Sequence, residues 1–209
     1  MDNYDLQVDI GKKIFLQYDQ SLMIRKFQLE ADEKWIYLTY LNTACRIDRE
    51  TGGIEEFHAD GWEACRDFST VMTVYDLLCY HKGKYAPLLR QQWCAAGTFV
   101  VTGVTQTDTF TRKYAGFFDG NMDKLKAACE ELGGVLQPRM AGADLTCQLW
   151  VTPFFPVLLQ FWNGDEEFPP KLMILWDRNT DRFMHYETTF YLQGDLLSRL
   201  KKAADKMED

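Results

Sequence analysis

Two apolar runs, Val157-Leu-Leu-Gln-Phe-Trp162 and Leu172-Met-Ile-Leu-Trp176, lie close together in the chain, and neither alternates with polar residues. A strand with one face in water alternates apolar and polar side chains, so near-continuous runs demand cover on both faces. Both fall far short of the ~18–20 residues that a membrane span needs, so they read as core strands. Leu145 to Val151 reads as a strand before them, with Pro153 and Pro156 breaking the pairing after it. A further strand is predicted over about Arg182 to Tyr186, following the turn Asp177-Arg-Asn-Thr180. Strands in consecutive order, not alternating with helices, indicate an α+β class and not α/β.

The N-terminal half carries a second set of strands. Trp35-Ile-Tyr-Leu-Thr-Tyr-Leu41 is dense in aromatic and β-branched residues, and Cys45 to Asp48 is joined to Ile54 to Phe57 across Gly52-Gly53, which supplies the positive φ of a tight turn. Ile10, Ile14 and Tyr18 are spaced by four, so the first 30 residues read as one or two helices, with Asp19 capping a short turn. Phe68, Val71, Met72, Tyr75, Leu78 and Cys79 form one helical face, capped by Asp67 or Ser69. A helix over about Met122 to Leu132 starts at Asn121 and stops at Gly133-Gly134, and a last one runs from about Asp195 to Met207. The expected architecture is therefore an antiparallel or mixed sheet, with a hairpin near 35–57 and a meander near 145–186, packed with about four helices. With no repeat, low-complexity tract or linker, the 209 residues read as a single domain over 1–209.

A formal net charge of −8 argues against nucleic-acid and anionic-membrane partners. The chain opens Met-Asp-Asn-Tyr-Asp, acidic where a secretory signal is basic and then apolar, which points to a cytoplasmic protein. Its six cysteines have no CxxC-type chelating spacing and read as reduced, mostly buried residues. Redox sensing would need an exposed thiol beside a cation, and Cys45-Arg46 and Cys65-Arg66 are the adjacent cases. No GxxxxGK[ST], GxGxxG, GxSxG or HExxH occurs, and His58, His81 and His185 are scattered, as surface or helix-end residues are. The threonine-rich segment Gly97 to Tyr114 reads as a strand or a loop, and the clusters Trp35/Tyr37/Tyr40 and Trp150/Phe154/Phe155/Phe161/Trp162 read as core packing.

The unusual constellation is Trp162-Asn-Gly-Asp-Glu-Glu-Phe-Pro-Pro170, which places Asp165, Glu166 and Glu167 consecutively between two core strands. One reading is a hard-cation site, or a carboxylate pair whose mutual repulsion raises one pKa. The favoured one is a solvated acidic loop with Phe168 tucked back into the core, because metal loops spread their oxygens over alternate positions.

The stretch from Pro156 through Pro170, then Leu175-Trp-Asp177 and a terminal amphipathic helix, resembles an uncharacterised prokaryotic family, the domain of unknown function numbered thirty-seven eighty-six. The family pattern falls on Trp162, Gly164, Asp165, Glu166, Glu167, Phe168, Pro169 and Asp177. The resemblance implies a fold and a candidate binding site at Trp162, Gly164, Asp165, Glu166, Glu167, Phe168 and Asp177, without a reaction. Some relatives carry an appended iron–sulfur-cluster domain, which implies a setting in anaerobic metabolism. This chain lacks the closely spaced cysteines of that domain. No metal or cofactor is named by these residues.

The missing catalytic signatures favour a non-enzymatic binding or interaction module, with a protein partner or a second copy of the chain as its target. The alternative is a metal- or carboxylate-dependent enzyme in which Asp165, Glu166 and Glu167 act, assisted by Asp177 or His185. That alternative requires the carboxylates to converge on a concave pocket.

Overall fold

The computed structural model describes residues 3–99 and 109–207, and within them six α-helices and two five-stranded antiparallel sheets make an α+β fold. Helices α1 (Asn3–Gln17) and α2 (Gln20–Phe27) come first, and the Asp19 carboxylate caps α2 by accepting from the Leu22 N–H at 2.8 Å. Strands β1 (Glu30–Ala31), β2 (Trp35–Tyr40), β3 (Thr43–Asp48), β4 (Ile54–His58) and β5 (Gly61–Ala64) then pair in chain order as the first sheet. Leu41 and Asn42 both take positive φ in the two-residue turn from β2 to β3, the geometry that suits strand twist. At the next turn Gly52 has φ 73°, and Asp48 accepts from the N–H groups of Glu50 and Thr51. Alternation sends Ile36, Leu38, Tyr40, Cys45 and Ile47 into the core. The same alternation puts Trp35 and Tyr37 on the outer face, a correction to the core role read from composition. There the Arg46 guanidinium lies 4.0 Å from the Trp35 ring centre and 4.3 Å from that of Trp62.

Helix α3 (Phe68–Cys79) is capped by Asp67, which accepts from Thr70 N–H. After β6 (Trp93–Cys94) and a 3-10 turn over Ala96–Phe99, residues 100–108 lie outside the described residues, so the expectation for that part of the threonine-rich segment has no structural counterpart here. Its end is a helix, α4 (Thr109–Phe118), and not a strand or loop. Thr111, Tyr114, Ala115 and Phe118 are buried at i, i+3, i+4 and i+7, and the threonine in that stripe masks the helical period in the sequence. Helix α5 (Met122–Glu131) follows.

The second sheet has β7 (Val135–Leu136), β8 (Leu145–Thr152), β9 (Phe155–Trp162) and β10 (Lys171–Asp177) with β6, in the order β6-β10-β9-β8-β7. In β9 every residue but Trp162 is buried, as the unbroken apolar run requires. Its one polar member, Gln160, donates to the Met140 carbonyl at 3.1 Å. Pro153 lies in the β8–β9 turn, but Pro156 stays inside β9 opposite Trp150, where the register is irregular. The strand predicted over 182–186 does not form. Thr180–Arg182 is a 3-10 turn, and α6 (Tyr186–Asp205) begins nine residues before the predicted Asp195. The Asp76 carboxylate of α3 anchors that first turn, accepting from His185 N–H at 2.7 Å and the Thr188 hydroxyl at 2.6 Å.

The sheets meet where Leu41 N–H donates to the Val151 carbonyl at 2.9 Å, and α2 stacks Phe27 on Phe154 of the β8–β9 turn with ring centres 4.2 Å apart. Among the described residues no helix is long and apolar enough to cross a membrane. Arg199 of α6 ties the layers together. Its guanidinium bonds Asp195 at 2.9 Å, Glu56 of β4 at 2.7 Å and the Thr70 hydroxyl of α3 at 3.0 Å, beside the Tyr40 ring. Both carboxylates are buried, so removing the arginine strands two negative charges away from water. Arg199→Ala is expected to cost about 3–5 kcal/mol of stability, read as a lowered urea midpoint with unchanged slope.

Candidate functional site

The acidic loop spans the gap from Trp162 at the end of β9 to Lys171 at the start of β10. Two carboxylates from distant segments hold its base. Asp144 accepts from Asn163 N–H and Asp119 from Gly164 N–H, both at 2.9 Å, while the Asn163 side-chain oxygen accepts from Gly120 N–H at 3.1 Å. Gly164 is held so closely that a Cβ there would sit 2.9 Å from Pro170 Cδ, which explains glycine at that point of the motif. The tip closes on itself. One Asp165 oxygen accepts from the N–H groups of Glu167 (2.9 Å) and Phe168 (2.7 Å), and Asp165 N–H donates to the Phe168 carbonyl.

Asp165 is therefore the loop's internal brace, and Glu166 and Glu167 point into solvent. Phe168 does not tuck into the core, contrary to the reading from spacing: it is 66% exposed. With the brace holding the backbone, the phenyl ring stands out at the tip. Between the loop and α4 runs a groove of about 560 Å³, walled by Trp162, Phe168, Pro169, Pro170, Ala115 and Arg112. The Lys171 ammonium lies 5.3 Å from the Trp162 ring centre, a cation–π contact in the wall of the groove.

Asp177 is placed elsewhere. It ends β10, while the loop precedes it, so the two are about 20 Å apart at the ~3.3 Å rise per strand residue. Its carboxylate is buried and accepts three backbone N–H groups, from Arg90 (3.1 Å), Gln91 (2.7 Å) and Asn179 (2.9 Å). This side chain fastens the 88–92 segment beside β6 and has little capacity left for a ligand. The structure thus gathers Trp162, Gly164, Asp165, Glu166, Glu167 and Phe168, and separates Asp177 from them. Among the described residues no group of three or more His, Cys, Asp or Glu is placed to hold a metal ion. His185 also lies away from the loop, paired with Asp76 through Nδ1 at 2.7 Å.

Family-model comparison matches the Domain of unknown function (DUF3786) to residues 19–199, most of the chain. The chain belongs to this family. Neither the curated proteins nor the solved structures that were searched contain a match. The family segment includes the whole loop, Asp119, Asp144 and Asp177, and leaves α1 outside it. Asp119 and Asp144 were not singled out from sequence, since an isolated aspartate in a turn gives no sign of which distant N–H it will meet.

The cysteines take no part in the loop. Cys45, Cys79, Cys129 and Cys147 are buried, and all six thiols are free. Burial first and then the Glu56 carboxylate beside both push Cys45 and Cys65 up to about 12, the reverse of the cationic setting a redox sensor needs. Burial also pushes Cys79 up to about 12. In native protein at pH 8, iodoacetamide is expected to label Cys94 first and to leave the four buried thiols unmodified until urea is added, as read by mass spectrometry.

The braces are expected to differ in cost. Asp177→Ala should lose about 2–4 kcal/mol, since it orphans buried donors, whereas Asp165→Ala should lose about 1 kcal/mol in an exposed loop. Glu166→Gln and Glu167→Gln should stay within about 0.5 kcal/mol. Urea denaturation of the four variants checks the ranking.

Proposed function

We propose that this chain is a single-domain, cytoplasmic, non-enzymatic binding module associated with anaerobic metabolism, and that the 162–170 loop carries its protein-recognition surface. The observation that supports it is the Phe168 ring, exposed at the tip of a loop whose backbone is already fixed by Asp119, Asp144 and Asp165. An exposed aromatic on a preorganised backbone loses little entropy on docking, which is how interface anchors gain affinity. The exposed Glu166 and Glu167 immediately precede Phe168 and specify a partner with an apolar socket rimmed by basic residues. The association with anaerobic metabolism rests on the family resemblance alone.

Photo-crosslinking tests the reading. With a benzoylphenylalanine in place of Phe168 in the native host, one discrete protein adduct is expected, with a yield that falls in the Glu166→Gln, Glu167→Gln double variant. No adduct, or an adduct indifferent to both charges, removes the proposal. Elemental analysis of protein purified anaerobically without a metal-affinity tag bears on the enzyme alternative. Near-stoichiometric metal that vanishes in the Asp165→Asn, Glu166→Gln, Glu167→Gln triple variant would replace the binding module with a metal-dependent enzyme.

A further inference from the structure

On another face of the molecule, α1, α3 and the start of α6 line an open groove of about 340 Å³, within the ~300–1,000 Å³ range of small-molecule sites. Its walls are apolar: Ile10 and Ile14 from α1, Met72 and Tyr75 from α3. Ile10 and Ile14 leave 46% and 44% of their surface uncovered, although their spacing of four is that of a buried helical stripe. One end of the groove is polar and is lined by Asp76, Lys82 and His185.

The hydrogen bonds at that end decide what kind of head group it receives. The Asp76 carboxylate is fully engaged, accepting from His185 N–H, the Thr188 hydroxyl and His185 Nδ1. That contact orients the imidazole and leaves Nε2 without a protein partner among the described residues. Lys82 Nζ donates to the Cys79 carbonyl at 2.7 Å and has further N–H donors to give. Among the described residues neither Lys82 nor its buried neighbour Lys26 forms an ion pair; Lys26 donates instead to the Tyr18 hydroxyl and the His81 carbonyl. Burial, then the positive charge of Lys26, pushes the His81 imidazole below its usual range. Lys82 is thus the positive charge of this lining that has no ion pair among the described residues, and both oxygens of the Asp76 carboxylate are already hydrogen-bonded.

We propose that this groove binds a small amphipathic carboxylate, with its hydrocarbon body on Ile10, Ile14, Met72 and Tyr75 and its carboxylate on the Lys82 ammonium. The apolar walls supply affinity without direction, and the ammonium selects the anion and fixes its orientation. This site is separate from the acidic loop and holds whether or not that loop binds a protein.

Calorimetric titration of the full chain with sodium octanoate, octan-1-ol and octylammonium tests it. Octanoate is expected to bind saturably at one site per chain, about tenfold more tightly than the alcohol, with the ammonium weakest. In Lys82→Gln, an exposed position whose fold is checked by circular dichroism, octanoate should fall to the level of the alcohol. Ile14→Ser should weaken octanoate and octanol alike. Non-saturable octanoate binding, equal affinity for the three probes, or an unchanged Lys82→Gln variant would overturn the proposal. So would a concentration-dependent dimer in sedimentation that Ile10→Asp dissolves, because the face would then be covered by a second copy of the chain.

Discussion

Covering both faces of β9 is the requirement that organises the rest of the molecule. Seven of its eight residues are buried, so β8 and β10 must satisfy its backbone on either edge while other layers close over its side chains. The β8–β9–β10 core brings α4 against β10, α5 against β8 and the first sheet against β8 at β2. The acidic loop is a by-product of this demand. Two strands buried so completely need a connection that leaves the core at once, and a charged, proline-terminated turn does so.

The aspartates and glutamates divide the work. Asp19, Asp48, Asp67, Asp76, Asp144 and Asp177 each accept backbone N–H groups at a helix start, a turn or a strand end. A carboxylate one carbon from the backbone reaches such donors at little entropic cost. The glutamates at the loop tip are one methylene longer, make no such bonds there and stay in solvent. These aspartates are structural, whereas Glu166 and Glu167, next to the exposed Phe168, are free to meet a partner.

Local pattern made much of the fold legible. Helix α3 with its Asp67 cap, the Gly52-Gly53 turn, and the paired apolar runs of β9 and β10 all rest on residues near in sequence. The misreadings came from interactions that no short window contains. Phe183 and Met184 are both buried beside a turn that ends in a helix, and the group that anchors that helix, Asp76, is 109 positions away from His185. Helix α4 was hidden because a buried threonine holds an apolar position. The site shows the same limit. The family resemblance grouped Asp177 with the loop, yet its carboxylate is taken up by the N–H groups of Arg90 and Gln91, which only tertiary structure brings near. The direction of Phe168 follows from the Asp165 brace, a matter of φ and ψ more than of composition.

The anchoring of α6 by a residue of α3 bears on the order in which the chain acquires its shape. A ribosome releases Asp76 long before His185 exists, so α3 must carry its carboxylate unpartnered while the whole second sheet is being made. The C-terminal helix can form its middle turns on its own periodicity, but its first turn locks only when α3 is already docked. Arg199 imposes the same condition near the other end, because Glu56 and Thr70 come from the first half of the chain. The bonds at the two ends of α6 can therefore be complete only where the segments that carry Asp76, Glu56 and Thr70 have reached their native places.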